Sequence, residues 1–173
     1  MRMRKLLTAV LAFTLLALPG STATQQGGQR PTSEAGRKLE AMLYVLQVPF
    51  QRSGENGYVA VISVGQNESE RFFIQLGAVG GDPNNERLQI IQMYFLLGQI
   101  PQGAAFPPQL IKKINQWNSS LPMGRVIAAD NTITYSNSAW LSKTDADTLG
   151  LDATFGHYAS RDLRREVELY LKH

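Results

Sequence analysis

Between Pro107 and Tyr135 a helical pattern runs into a hairpin pattern with only a few residues between them. That junction constrains the fold more than any other stretch. Pro107 and Pro108 stand where a first helical turn tolerates them, because the leading N–H groups of a helix have no internal acceptor. Leu110, Ile114 and Trp117 recur at helical spacing with Ile111 beside them, while Lys112, Lys113, Gln116 and Ser119 fall on the wetter side. Pro122 ends the helix and Gly124 frees the chain to turn. Residues 124–135 then read as two short strands joined at Asp130 and Asn131. So short a connection brings the helix back against its own sheet, which places Trp117 between the two.

The helix end Ile114–Asn118, Ile-Asn-Gln-Trp-Asn, followed by Gly124, Arg125, Val126 and a short hairpin, resembles the YbjN family. That family is described as bacterial sensory transduction regulators, with a fold similar to the type III secretion chaperones. The resemblance is clearest from Leu110 to Tyr135 and extends, in element order, from Gly36 to Lys172. Met123 stands where an aromatic is usual, and the turn is Asp130-Asn131 rather than Asp-Gly. The resemblance implies a protein or peptide partner and a homodimer. It also marks Asn115, Trp117, Asn118, Gly124 and Arg125 as motif residues, which we read as structural.

The first 23 residues read as a signal peptide. Arg2, Arg4 and Lys5 form a basic start, Leu6 to Leu18 an apolar run, and Ser21, Thr22 and Ala23 a cleavage site after Pro19 and Gly20. The apolar run is short for a bilayer span. The expected destination is the periplasm or the medium, with no integral membrane segment left after cleavage. Three of the chain's 17 basic residues and none of its 14 acids lie in that stretch, so the remaining chain carries 14 of each. A neutral domain is a poor ligand for nucleic acid. Residues 24–36 form a polar leader without apolar period, and 37–173 one α+β domain. The chain has no cysteine, so its core rather than disulfides must hold it, which agrees with its 43% hydrophobic content.

Within that domain, Leu39, Met42, Leu43 and Leu46 mark one face of a helix over 37–47. Pro49 closes it, and residues 52–57 read as a loop. Tyr58 to Val64 and Arg71 to Leu76 read as strands. Leu88 to Leu97 fits a helical stripe through Leu88, Ile91 and Phe95, yet its Ile, Tyr and Phe content favours a strand; the family resemblance tips it to strand. After the hairpin, Thr144 or Asp145 can cap a last helix. Leu151, Phe155, Tyr158, Val167 and Tyr170 mark one side of that helix, with Leu163 and Leu171 flanking. The expected order is α-β-β-β-α-β-β-α, with helices packed on an antiparallel sheet.

The chain carries little chemistry. It has two histidines, and His173 is the last residue. No nucleophile elbow or cofactor fingerprint occurs, and His157 reads as a partly exposed helix residue. Asp145 and Asp147 begin a calcium-loop spacing that fails at Leu149 and Gly156, so no metal and no cofactor is expected. Aromatics near amides remain. Trp140, Tyr135 and Asn137 form the candidate partner or ligand surface, and Tyr94 belongs to the same aromatic set. The expectation is an exported, non-enzymatic module that recognises a protein or peptide. The alternative is a small-ligand sensor or carrier with a pocket lined by Trp140 and Tyr135.

Overall fold

The computed structural model describes residues 33–65, 68–81 and 88–172. The expected signal peptide and most of the leader lie outside the described residues. The order is α1 (Glu34–Val45), β1 (Phe50–Arg52), β2 (Gly57–Ser63), β3 (Ser69–Ala78), β4 (Gln89–Gln99), α2 (Pro108–Ser120), β5 (Arg125–Ala129), β6 (Thr132–Trp140) and α3 (Ala146–Leu171). The strands form one antiparallel sheet in the order β1-β2-β3-β4-β6-β5. The α+β class follows the sequence reading, and Leu88 to Leu97 lies mostly within β4.

Two boundaries differ from the sequence reading. Helix α1 begins at Glu34, inside the stretch read as leader. The Ser33 side chain accepts from the Gly36 N–H at 3.1 Å, and Glu34 places a negative charge in the first turn. Strand β1 is additional, and three residues are too few to show a period. It is fixed by tertiary contacts instead. Arg52 grips Glu40 of α1 through Nε at 2.6 Å and Nη2 at 2.9 Å, and Phe50 packs edge-on to Tyr44 and Tyr58.

Alternation along the strands gives the sheet two unlike faces. Tyr58, Ile74 and Met93 lie opposite one another across β2, β3 and β4, and Val126, Tyr135 and Phe95 do so across β5, β6 and β4. These six join the central core together with Leu39 and Leu43 of α1, Leu110, Ile114 and Trp117 of α2, and Leu163 and Val167 of α3. All three helices therefore share one face.

Helix α3 keeps the expected face in its second half, where Leu163 and Val167 are buried and Tyr170 and Leu171 pack against the core, but its first half is rotated from it. Leu151 is 71% exposed and Tyr158 43% exposed. The buried positions are Leu149, Ala153, Gly156, His157, Ser160, Leu163 and Val167. Small residues let the helix approach closely: a Cβ on Gly156 would overlap the ring of Phe95, which stacks on Phe72 with centroids 5.1 Å apart. Counting only bulky residues therefore rotates the predicted face. No helix among the described residues is long and apolar enough to cross a membrane.

Candidate functional site

The family-like residues meet where α2 enters the hairpin. Leu110, Ile114 and Trp117 are buried, while Asn115 is exposed. The Asn118 side chain reaches the outermost strand: its Oδ1 accepts from the Val126 N–H at 2.7 Å and its Nδ2 donates to the Val126 carbonyl at 2.9 Å. One amide thus supplies what a neighbouring strand would have supplied. Gly124 has φ +69, and a Cβ there would overlap the Tyr135 hydroxyl. That hydroxyl donates to the Met123 carbonyl at 3.0 Å. Burial first, then the nearby Asp152 carboxylate, pushes the Tyr135 phenol up to about 12. Tyr58 is likewise pushed up to about 12 by burial, with Glu40 adding to it.

A second polar group sits between sheet and α3. His157, read from sequence as partly exposed, is 2% exposed. Its Nδ1 lies 3.2 Å from Glu70 Oε2 and its Nε2 3.2 Å from Glu68 Oε1. Arg164 donates to Glu70 Oε1 at 2.7 Å and, through Nε and Nη2, to the Leu96 carbonyl. Leu96 borders the irregularity in the β4–β6 register, so the guanidinium satisfies a carbonyl at a break in the ladder. The cluster ties α3 to β3 and β4; neither of the two grooves described below includes His157 in its lining. A readable signal exists. Glu70 shares the apolar phase of Phe72, Ile74 and Leu76, and a carboxylate in that phase needs a cation from the covering helix.

The three candidate surface residues are divided by the sheet. Tyr135 is 0% and Asn137 3% exposed, and both face the helices. Trp140 is 41% exposed on the opposite face, paired with Ile90. Tyr94 shares that face, in a cross-strand row running Val59, Phe73, Tyr94, Ser136, Arg125. Burial raises the Tyr94 phenol and the Arg125 charge opposes that shift, as expected of neighbours on one surface. None of the three helices packs on this face.

Two grooves open elsewhere. The larger, about 510 Å³, runs between α1, β2 and α3 and is lined by residues including Leu46, Val48, Ile62, Leu149 and Leu151. The smaller, about 350 Å³, lies beside the start of α1 near Arg37, Lys38 and Ser142. Neither is lined by Trp140 or Tyr135. Asp145 caps α3, accepting from the Thr148 N–H at 2.8 Å; hydrogen bonding from the Thr148 side chain first, and then from its N–H, holds the carboxyl below the usual range.

A family model described as "YbjN: Putative bacterial sensory transduction regulator" matches residues 37–160. The chain belongs to the YbjN family. No curated protein matches it. Among solved structures, it is similar to the Yersinia pestis type III secretion chaperone SycH in complex with a stable fragment of YscM2. The identity is 13% and the TM-score 0.44, over 75% of this chain and 98% of that one.

Proposed function

We propose that this YbjN protein is an exported, non-enzymatic binding module that recognises a protein or peptide partner on the open face of its sheet. The observation that carries the reading is the face bearing Trp140, Tyr94 and Val59, which none of the three helices covers. The helices already bury one face of the sheet, and water can cover the other; what marks the second face is the exposed Trp140 beside the half-buried Tyr94, apolar area that a partner would cover. The family's description as regulators supports a binding role over a catalytic one. The expected homodimer, taken from the family resemblance, belongs to the same reading and uses another surface.

The test is capture from envelope extract, with wild-type chain compared against Trp140→Ala. A partner retained by wild type and lost by the variant is the expected result. An identical set of captured proteins refutes the surface. Export is tested separately by intact mass: protein recovered from the envelope or medium should lack residues 1–23, and a full-length mass there rejects export. Sedimentation equilibrium tests the dimer, and a monomer mass at micromolar concentration rejects it.

The groove of about 510 Å³ favours a second reading, a small apolar ligand held between α1 and α3. A fluorescent fatty acid displaced by Leu149→Trp but not by Trp140→Ala would select it.

A further inference from the structure

The six strands contain one acidic residue, Glu70, and it faces the helices. They contain three basic residues, of which Arg52 turns to Glu40 of α1. The other two, Arg71 and Arg125, lie on the open face; both are exposed, and neither forms an ion pair among the described residues. The strand residues of this face thus carry two cations and no anion. Between and beside them lie Tyr94 and Val59; Phe73 in the same row is buried, and Trp140 stands four residues, about 13 Å, further along the sheet on the side away from Arg71. Two copies stacked face to face would set arginines against a surface with no strand carboxylate to receive them. The charge pattern instead suits a partner of opposite sign.

The kind of backbone follows as well. A sheet face, unlike a sheet edge, offers no free N–H or C=O. An extended segment laid flat on it would bury its own peptide groups unpaired, whereas a helix satisfies them internally. Building on the proposed function, we infer that the occupant of the open face is an amphipathic acidic helix. Its apolar stripe lies on Tyr94 with Trp140 at its flank, and its carboxylates meet Arg71 and Arg125. Arg71 and Arg125 are three strand spacings apart, about 14 Å across the sheet, and two residues apart along it, giving about 16 Å in all. At 1.5 Å of rise per residue, that places the two carboxylates about eleven positions, or three turns, apart.

The probe is a synthetic helical peptide of about 18 residues, with a Leu and Ile stripe and Glu at positions three turns apart. Its twin carries Gln in place of Glu. Calorimetry with the full chain should show the acidic peptide binding at least tenfold more tightly than the twin. The double variant Arg71→Gln with Arg125→Gln should abolish that difference. Trp140→Ala should weaken both peptides, and Trp140 emission should shift to the blue on binding. Equal binding of the two peptides, with both lost in Trp140→Ala, overturns the acidic occupant while leaving the partner-binding reading intact. Binding untouched by Trp140→Ala overturns both. No binding of either peptide overturns the helical occupant, and a heparin fragment that binds as tightly as the peptide shows a general polyanion surface and overturns it too.

Discussion

Replacing Trp117 by Ala separates a packing role from a binding role at the family motif. Trp117 is 8% exposed, and most of its ring lies between α2 and the β5–β6 hairpin. A Trp side chain buries about 150–250 Å². At about 25 cal/mol per Å² this is about 4–6 kcal/mol of lost transfer energy as an upper bound. Measured truncations of buried Trp and Phe fall at about 3–5 kcal/mol, cavity included. The Lys113 ammonium lies 5.5 Å from the ring centroid and also reaches Glu166 of α3 at 3.2 Å, so truncation loosens a link between helices. Urea unfolding followed by circular dichroism is the assay. With a slope of about 2 kcal/mol per M, the midpoint should fall by about 1.5–2.5 M at unchanged slope. Trp117→Phe should recover more than half of the loss. A Trp117→Ala chain that unfolds like wild type refutes the packing role and moves the partner site to the end of α2.

Other perturbations follow from the same contacts. Asn118→Ala removes both bonds to Val126 and should cost about 1–3 kcal/mol, with faster amide exchange at Val126; unchanged exchange there would show that the side chain does not hold the strand. Gly156→Ala drives a methyl into the Phe95 ring and should destabilise by about 1–3 kcal/mol, whereas Gly150→Ala meets only the mobile end of Leu46 at 3.0 Å and should cost less; the reverse order refutes the close approach of α3. The raised phenols of Tyr58 and Tyr135 mean that the fold favours their neutral forms. Their contribution is full below about pH 10 and is lost as pH rises from there towards 12. Absorbance at 295 nm should show three of the six tyrosines ionising late, Tyr94 before Tyr58 and Tyr135, the last two together with unfolding; six phenolates titrating at the ordinary value in folded protein would exclude this.

Much of this architecture is legible along the chain because β3 and the β5–β6 hairpin keep their period and the helix–hairpin junction is short. Trp117, Leu110 and Ile114 could be placed by spacing alone, since α2 buries one narrow stripe of large residues. The first half of α3 could not. Its buried stripe runs through Ala153 and Gly156 to Ser160, and small residues carry no hydrophobic signal even where they decide how closely a helix lies. His157 is hidden for a different reason: its partners Glu68 and Glu70 are almost ninety residues away, on β3 and the loop before it. The division of Trp140 from Tyr135 and Asn137 is one of parity. Within one strand, residues an odd number apart face opposite ways, so β6 cannot present Trp140 and either of the other two on one surface. Knowing the extent of β6 would have been enough to see it.

The Asn118 amide has a consequence for how this chain can associate. An outermost strand with free peptide groups invites another chain to continue the sheet, and such continuation has no natural stopping point. At one border Val126 is already occupied from within, and at the other β1 offers only three residues. Lateral extension is therefore discouraged in both directions. Encounters are directed onto faces, where side chains must match and stoichiometry is finite. A protein crowded among its own copies can thus keep one broad side uncovered for a partner without its sheets running on into a fibre.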